Sequence, residues 1–360
     1  MHILHLYKDY APVLGGIENH VKVLAETQAA AGHRVTVLVC ASGAKSEVKT
    51  LHGVEVWKSG RLATVASMPI SLRQPLALMR MNPDIVHVQS PYPLGEVSAW
   101  ILKHRKPLVI SYQSDVVRQR GWLRAYAPLL RRVLRHASRI LVSSPRYLES
   151  SPWLQPVRDR CAVVPLGVDH VRFHPPQLAY AGPPTLLFVG RLRYYKGLDT
   201  LLQAMRDLPD VRLRIVGTGE METPLRALAA GLGIQERVRF EGDVPDAELP
   251  KVYTNATLFV LPANARSEAY GLVLLEAMAS GLPCVTTEIG TGTSWIVQDG
   301  LTGSVVPPRN PEALACAISD LLAEPAALYE MGRAGRARVE GEFTQARMVE
   351  RVIEAYHSVV

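Results

Sequence analysis

The sequence has few cysteines, and none of them forms a recognisable pair. Four occur in 360 residues, without Cys-x-x-Cys spacing, at Cys40, Cys161, Cys284 and Cys316. This spacing argues against a cysteine-based metal or redox site. Three of the four lie in apolar strand or helix patterns, which favours buried thiols in a reducing compartment.

Long apolar runs are also absent. The longest, such as residues 35–41 and 258–263, are too short to cross a bilayer. The first seven residues have neither a basic n-region nor a cleavage site, so we interpret them as a strand and not as a signal peptide. No internal repeat is apparent. The pattern excludes an integral membrane protein and a repeat array.

The remaining composition is that of a soluble globular protein, with 48% hydrophobic and 20% charged residues. The length predicts two domains. The net charge of +7 is uneven, because residues 1–175 hold 23 Lys+Arg and 11 Asp+Glu while residues 176–360 hold 17 and 22. The two halves therefore present different surfaces to different partners.

Strand and helix patterns alternate in both halves, as in α/β folds with parallel sheets. A segment rich in proline and glycine, residues 175–184, separates the halves. We predict domains at residues 1–175 and 176–342, followed by a C-terminal segment at 343–360 that forms a last helix near 343–358. The predicted strands are 3–7, 34–40, 54–58, 84–88, 107–112, 139–144, 161–165, 185–190, 212–216, 237–241, 258–262 and 284–287, and the other helices include 69–81, 311–323 and 325–338.

In the first half, polar residues follow the predicted strands. Ligands of open α/β sheets collect at the carboxyl ends of strands. This places five residues on one edge: Gly16, His87, Gln113, Ser114 and Asp115. An acceptor contact and a structural role at a strand end are equally good interpretations of His87. The Gly15-Gly16 pair is either a tight turn or a close approach to a phosphate or acceptor, and we favour the second.

Residues 118–139 form the most basic stretch of the chain. They include seven arginines and no acid, with aromatic and aliphatic residues interleaved. Such basic amphipathic segments are typical of membrane-surface elements. The alternatives are a solvated helix face and a nucleic-acid surface, although no nucleic-acid recognition motif accompanies the charge. We favour an anionic membrane or a lipid diphosphate, contacted by Arg118, Arg124, Arg131 and Arg135.

The most informative stretch is residues 267–283. Glu268 and Glu276 lie eight residues apart, and the second falls in an apolar run with helical spacing. A helix that starts near Tyr270 puts Glu276 about two turns in and leaves the amides of Tyr270, Gly271 and Leu272 free to bind an anion. Two acids beside such a helix end suit a ligand with hydroxyls and a diphosphate, for example a nucleotide sugar.

These residues resemble the signature of the retaining glycosyltransferases of family 4, in which Glu-x7-Glu precedes Ala-Met-Ala-Ser-Gly-Leu-Pro. The resemblance implies that Glu268 contacts the transferred sugar and that Glu276 binds the nucleotide ribose. Gly190-Arg191 and Lys196-Gly197 resemble the string of the family that meets the diphosphate.

Further strings carry the resemblance along most of the chain. The loop with Gly15, Gly16 and Glu18 resembles the N-terminal loop of the family, and Gly217 and Val244 stand where the family places backbone and side chain near the nucleotide. Residues 164–175 resemble the family's approach to the interdomain linker, with Leu166 where asparagine is common.

Two departures from the family pattern qualify these expectations. Many relatives have a histidine where this chain has Gln113, and an amide can donate a hydrogen bond but cannot carry a proton. We therefore expect Gln113 to contribute only a hydrogen bond, and the sequence leaves open whether Asp115 compensates for the missing histidine. The loop Gly-Thr-Gly-Thr-Ser at 290–294 replaces the usual Pro-Glu pair and is similar to a subgroup that transfers mannose into polysaccharides.

The resemblance implies a GT-B fold: two facing Rossmann-like α/β domains with a cleft between them and a C-terminal helix that crosses back to the first. It implies a retaining hexosyltransferase that uses a nucleotide sugar, GDP-mannose before UDP-hexose, and needs no metal because the sequence has no Asp-x-Asp. In the family, retention is described as front-face attack, in which the donor phosphate helps to deprotonate the acceptor and no carboxylate nucleophile is needed.

The expected acceptor is a cell-surface glycan or a lipid-linked glycan at the cytoplasmic face of the membrane, and nucleic acid is not an expected partner. Two alternatives stay open. A nucleotide-sugar 2-epimerase would use the same donor residues without an acceptor. A non-enzymatic protein that binds lipid or nucleic acid would use the basic half alone and would leave Glu268 and Glu276 unexplained.

Overall fold

The computed structural model describes residues 1–13, 15–65, 68–115, 120–176 and 182–360, with only the backbone course for residues 120–125. The chain forms two compact units. The first contains Met1–Pro165 and Ala346–Val360, and the second contains Leu166–Gln345. The division along the chain lies at 165/166, ten residues before the position that composition suggested.

The first unit is built on a twisted sheet in the order β10-β9-β8-β7-β1-β2-β4-β3, which is parallel except for the antiparallel edge strand β3. Its central strands are almost entirely buried, as expected of strands covered on both faces. The strands are β1 (His2–Leu6), β2 (Arg34–Cys40), β3 (Glu47–Leu51), β4 (Val54–Ser59), β7 (Ile85–Ser90), β8 (Leu108–Tyr112), β9 (Arg139–Val142) and β10 (Cys161–Val163), and a separate hairpin consists of β5 (Ala63–Val65) and β6 (Met68–Ile70).

Helices connect these strands in the βαβ manner. They are α1 (Gly16–Ala30), α2 (Arg73–Arg80), α3 (Pro93–Leu102), α4 (Arg120–His136) and α5 (Pro145–Ser150). The C-terminal helix α13 (Gln345–His357) supplies its buried side chains to this unit, among them Val352 and Tyr356. The first unit is therefore completed by the last residues of the chain.

The second unit has a wholly parallel sheet in the order β13-β12-β11-β14-β15-β16. Its strands are β11 (Thr185–Val189), β12 (Arg212–Val216), β13 (Val238–Gly242), β14 (Leu258–Leu261), β15 (Cys284–Thr287) and β16 (Gly303–Val306). Its helices are α6 (Leu198–Ala204), α7 (Glu222–Gly231), α8 (Leu249–Thr254), α9 (Leu272–Ala279), α10 (Thr293–Ile296), α11 (Pro311–Ala323) and α12 (Pro325–Glu342).

A buried polar network attaches α13 within the first unit. His87 Nδ1 lies 2.6 Å from the Tyr356 hydroxyl, and Gln28 Nε2 donates to the same hydroxyl at 3.5 Å. Gln28 Oε1 lies 2.7 Å from His5 Nε2. Because buried polar groups are costly unless they are paired, this network favours one docking position for the helix.

Three local expectations were wrong. The helix expected at 69–81 begins only at Arg73, because Met68–Ile70 pair with Ala63–Val65 as a hairpin. Helix α9 begins at Leu272 and not near Tyr270, so Glu276 lies just over one turn from its start. Strand β7 continues to Ser90, which places His87 in its interior. Within the described parts of the chain, no helix combines the length and apolar character that crossing a bilayer requires.

Candidate active site

The candidate donor site lies at the carboxyl edge of the second sheet, where the loops after β11, β12 and β14 meet. Gly190 and Gly217 follow the first two of these strands with φ of 148° and 117°. A Cβ on Gly217 would lie 2.2 Å from the Gly190 carbonyl oxygen, so the two loops can approach only without side chains there. Gly197, at φ 71°, is held against Pro262 in the same way. Glycine is thus required for the chain to form this edge.

Lys196 and Glu268 form a buried ion pair at this edge. Lys196 Nζ lies 2.5 Å from Glu268 Oε2, and each residue is 8% exposed. Burial alone would lower the pKa of Lys196, but the adjacent Glu268 carboxylate, helped by Tyr195 and Glu276, holds it above its usual value. A Cβ on Gly190 would lie 3.5 Å from Lys196 Nζ, so the ammonium group borders the first loop. The sequence reasoning predicted both residues in the site, and the structure brings them into contact.

Glu276 lies on α9, close enough to affect the charge of Lys196, and its carboxylate is held by Tyr253 of α8. The Tyr253 hydroxyl donates to Glu276 Oε2 at 2.6 Å. Burial raises the pKa of Glu276 to about 7, against the opposing effects of the Tyr253 hydrogen bond and of Arg172. Burial likewise raises the pKa of Tyr253, so this tyrosine stays a neutral donor.

The start of α9 depends on Gly271, which takes a left-handed conformation at φ 88°. The first-turn amides of a helix lack partners within the helix, so those at Gly271 and Leu272 are suited to an anion. The Tyr270 side chain does not contribute to this, since it is 5% exposed and its hydroxyl donates to the Leu166 carbonyl at 3.1 Å. The expected role of Tyr270 can therefore rest only on its backbone.

The loop after β15 packs against this helix start. Gly292 donates its amide to the Ala269 carbonyl at 2.9 Å, and a Cβ on Gly292 would lie 2.7 Å from the Tyr270 ring. Arg266 donates to the Gly290 carbonyl at 2.9 Å. The Gly-Thr-Gly-Thr-Ser loop at 290–294 therefore packs closely against the backbone of the stretch that contains Glu268.

Arg191 and Val244 lie in the loops that follow β11 and β13. Arg191 is exposed directly after β11, and Val244 is partly exposed in the loop after β13. Arg172 fixes that loop, because its guanidinium donates to the Asp246 carboxylate at 2.9 Å and also to the Asp246 carbonyl. The structure gives Arg172 a positioning contact that the sequence reasoning did not find.

The start of α1 in the first unit differs from the expectation. Glu18 is buried, and a Cβ on Gly15 would lie 2.1 Å from its Oε2. Glycine at 15 therefore makes room for the Glu18 carboxylate, which occupies the helix start where a phosphate contact was expected. Among the described residues, no atom would lie within 4 Å of a Cβ on Gly16, so this position has open space beside the helix start.

The acceptor role considered for His87 is wrong in this structure. The side chain has no exposed surface, and its two ring nitrogens lie 2.6 Å from the Tyr356 hydroxyl and 2.8 Å from Ser111 Oγ. Burial lowers the pKa of His87 well below its ordinary value, so the ring is neutral. Its interior position in β7 makes it part of the network that holds α13.

Residues 113–115 follow β8, at the carboxyl edge of the first sheet, as predicted. Gln113 is partly exposed and donates through Nε2 to Gln89 Oε1 at 3.0 Å. Ser114 beside it is also partly exposed. The Asp115 carboxylate accepts from the Tyr112 hydroxyl at 3.0 Å and from Ser151 Oγ at 2.7 Å. Asp115 therefore anchors this loop, whereas Gln113 and Ser114 present polar groups.

The basic helix α4 carries part of the predicted membrane surface. Arg131 and Arg135 are exposed, and with Trp153 they line a pocket of about 200 Å³. The Arg131 guanidinium lies 5.4 Å from the centre of the Trp153 ring, a cation–π contact. Arg118 and the side chain of Arg124 lie outside what the structure describes.

The chain matches two family models that together cover most of it. The model described as Glycosyltransferase Family 4 matches residues 14–172, and the model described as Glycosyl transferases group 1 matches residues 171–338. The chain belongs to glycosyltransferase family 4. The family predicted from Glu268, Glu276 and the strings around them is confirmed.

Two relatives match this chain along nearly its whole length. The D-rhamnosyltransferase WbpZ of Pseudomonas aeruginosa is 35% identical over 96% of this chain and 92% of its own. The O-antigen chain mannosyltransferase C of Escherichia coli is 32% identical over 100% of this chain and 99% of its own. The protein is therefore a glycosyltransferase, and the non-enzymatic alternative is not supported.

Solved structures show the same fold. Sucrose-phosphate synthase from Thermosynechococcus elongatus superposes with a TM-score of 0.82 at 23% identity, over 99% of this chain and 98% of that one. Anabaena Alr3699/HepE in complex with UDP superposes with a TM-score of 0.80 at 22% identity, over 99% and 100%. The predicted GT-B fold, with two parallel-sheet α/β domains, is confirmed.

Proposed function

We propose that this family 4 enzyme transfers a hexose, mannose in preference, from a nucleotide sugar to a cell-surface or lipid-linked glycan with retention of configuration. The observation that carries the proposal is the cluster of Lys196, Glu268 and Glu276 at one sheet edge. It combines a buried cation with two carboxylates beside a helix start. The buried cation and the helix start suit a diphosphate, and the two carboxylates suit the hydroxyls of a sugar.

The relatives support the choice of sugar. One is named a mannosyltransferase and the other a D-rhamnosyltransferase. Rhamnose is 6-deoxymannose, so both names refer to sugars of the manno configuration. Both are transferases, which favours transfer over the 2-epimerase alternative. With the Gly-Thr-Gly-Thr-Ser loop, these names favour GDP-mannose over a UDP-hexose as donor.

Each donor-site residue has a proposed role. Lys196 and Arg191 neutralise the diphosphate as the glycosidic bond breaks, and the amides of Gly271 and Leu272 add partial positive charge at the helix start. These cations and amides are proposed to serve without a metal ion. Glu268 binds the hydroxyls of the transferred sugar, and Glu276 binds the ribose. Gly190, Gly217 and Val244 line the nucleotide.

The first unit is proposed to bind the acceptor. Gln113 donates a hydrogen bond toward the reacting sugars, and its neighbour Ser114 and the open space at Gly16 complete the polar edge. The exposed arginines of α4 are proposed to hold the enzyme at the cytoplasmic face of an anionic membrane, where a lipid-linked acceptor would lie.

The test is a transfer assay with GDP-mannose, GDP-D-rhamnose and UDP-glucose, each with excess chelator and with a lipid-linked or soluble mannosyl acceptor. The expected result is an α-linked product from GDP-mannose, in which NMR shows the anomeric configuration of the donor to be retained. Inversion of that configuration would contradict the mechanism. Activity that depends on added metal would contradict the role given to Lys196. Conversion of the donor without acceptor would revive the epimerase alternative.

A further inference from the structure

The contact between Tyr253 and Glu276 has features that packing alone does not require. Tyr253 lies on α8 with no exposed surface, between the rings of Phe173 and Phe259 at centroid distances of 5.6 and 5.7 Å. A phenylalanine would fill this aromatic cluster equally well. The hydroxyl instead reaches Glu276 Oε2 at 2.6 Å, the one hydrogen bond that it makes among the described residues.

The two carboxylate oxygens of Glu276 are in different situations. Oε2 accepts from Tyr253, whereas Oε1 has no hydrogen-bond or ion-pair partner among the described residues. Glu276 as a whole is partly exposed, and Oε1 is not among the buried side-chain atoms that lack a partner. One oxygen is therefore held by the core of the second unit, and the other is free to meet a ligand.

We propose that Tyr253 is a positioning residue, which fixes the Glu276 carboxylate so that its second oxygen accepts hydrogen bonds from the ribose hydroxyls of the donor nucleotide. The proposal rests on the proposed function, in which Glu276 binds the ribose. A side chain held in one rotamer loses less conformational entropy when a ligand binds, so a fixed carboxylate binds more tightly than a mobile one. Tyr253 itself touches neither sugar nor nucleotide.

The experiment compares ligands that have or lack the ribose hydroxyls. Calorimetry measures the affinity of the wild type and of Tyr253→Phe for GDP and UDP, each against its 2′,3′-dideoxy form. We expect Tyr253→Phe to weaken binding of the ribonucleotide about tenfold and to leave the dideoxy affinity unchanged. In a double-mutant cycle, Tyr253→Phe should have little further effect once Glu276→Gln is present, because the two act through one contact.

Phe259→Leu is the matched control. It disturbs the same aromatic cluster but keeps the hydroxyl, so it should lower the unfolding midpoint without changing the ratio of ribo to dideoxy affinity. Three outcomes overturn the proposal: an equal loss for both ligands in Tyr253→Phe, which shows a structural role; no loss for either; or full additivity with Glu276→Gln.

Failure of the proposed function is recognised separately. If the wild type binds ribo and dideoxy nucleotides equally and Glu276→Gln changes neither affinity, Glu276 does not bind the ribose. That result overturns the assignment of Glu276 together with the role of Tyr253. If Glu276→Gln reduces only the ribonucleotide affinity while Tyr253→Phe has no effect, the proposed function stands and only the role of Tyr253 fails.

Discussion

The ammonium group of Lys196 lies 2.5 Å from the Glu268 carboxylate, in a position where both side chains are almost completely buried. Neither charge has much access to water, so each depends on the other. An arriving diphosphate would offer Lys196 a second anion and would leave Glu268 available for the hydroxyls of the sugar. The pair therefore links the folding of the second unit to its chemistry.

The first prediction separates these two roles. Lys196→Met leaves Glu268 buried and unpaired, so we expect a loss of about 3–5 kcal/mol in unfolding free energy and a fall in kcat of about 100- to 1,000-fold. The double variant Lys196→Met/Glu268→Gln should recover most of the stability but none of the turnover. Urea unfolding and steady-state kinetics measure the two quantities.

Lys251→Met, at an exposed position of α8, is the matched control and should change neither quantity. Recovery of turnover in the double variant would show that Lys196 serves only to neutralise Glu268. It would remove the proposed contact between Lys196 and the diphosphate.

The second prediction concerns the pH dependence of donor binding. Burial raises the pKa of Glu276 to about 7 from an ordinary 4.5, and the ionised carboxylate is the better hydrogen-bond acceptor for the ribose. Binding should therefore release a proton, and the affinity for GDP-mannose should rise with pH, by up to about tenfold per unit below the pKa. Calorimetry in buffers of different ionisation enthalpy counts the protons, and Glu276→Gln should bind weakly and independently of pH.

The raised pKa of Glu276 affects the free energy of unfolding in the opposite direction, so that stability falls as pH rises. Between pH 4.5 and about 7 the unfolded chain has lost a proton that native Glu276 keeps, so this group makes the unfolding free energy fall as pH rises. Glu276→Gln should remove that contribution. A variant with an unchanged pH slope, together with proton-neutral binding by the wild type, would contradict the raised pKa of Glu276.

The third prediction concerns the buried histidines of the first unit. Burial lowers the pKa of His5 to about 4 and that of His20 to about 3, and His87 is lowered well below its ordinary 6.5. Below pH 6.5 these three histidines become protonated in the unfolded chain but stay neutral in the native state. The free energy of unfolding is therefore unaffected by these histidines above pH 6.5. It decreases as the pH falls towards 4, by up to about 1.4 kcal/mol per pH unit for each histidine.

Urea unfolding at several pH values measures this slope. His20 Nε2 is buried without a partner among the described residues, so His20→Phe should be tolerated. It should reduce the number of protons taken up on unfolding by up to one, and the pH slope of the unfolding free energy in proportion. Tyr356→Phe leaves a nitrogen of His87 unpaired and should cost about 1–3 kcal/mol. If the nucleotide affinity of Tyr356→Phe falls by more than the decrease in its folded fraction accounts for, a purely structural role for His87 is contradicted.

The fourth prediction concerns the membrane. Arg131→Gln/Arg135→Gln should weaken association with anionic vesicles at low salt, by about 1 kcal/mol for each charge removed, and should leave nucleotide affinity unchanged. Arg105→Gln/Arg146→Gln removes the same charge from exposed positions outside α4 and is the control. Equal losses in the two variants, measured by vesicle sedimentation, would mean that net charge and not α4 governs the association.

The alternation of strands and helices was predictable, because strands such as β11 and β14 are continuous apolar runs and glycine follows helices such as α1 and α9 within two residues. Arg34–Cys40, Arg212–Val216 and Cys284–Thr287 were predicted to the residue. Polar or short edge elements were not: β3 has little apolar pattern, and β6 was taken for the start of a helix. Such strands form because a neighbouring strand pairs with them, and their own composition does not indicate a strand.

The candidate site was predictable where a loop string carries its own chemistry, as around Lys196 and Glu268. Tyr253 and Arg172 were missed because a tyrosine in a short helix and an arginine before a phenylalanine give no local signal of a contact with Glu276 or Asp246. His87 was misplaced because strand ends are uncertain by one or two residues, which decides whether a side chain lies at an edge or inside a sheet.

The most direct test of the account is a calorimetric titration of GDP-mannose, without metal, into the wild type and into Lys196→Met/Glu276→Gln, with UDP-glucose as the comparison donor. We expect measurable binding of GDP-mannose by the wild type and none by the double variant, whose folded fraction is checked by circular dichroism at the same temperature. Equal binding of GDP-mannose by the two proteins would contradict the assignment of the donor site to the carboxyl edge of the second sheet.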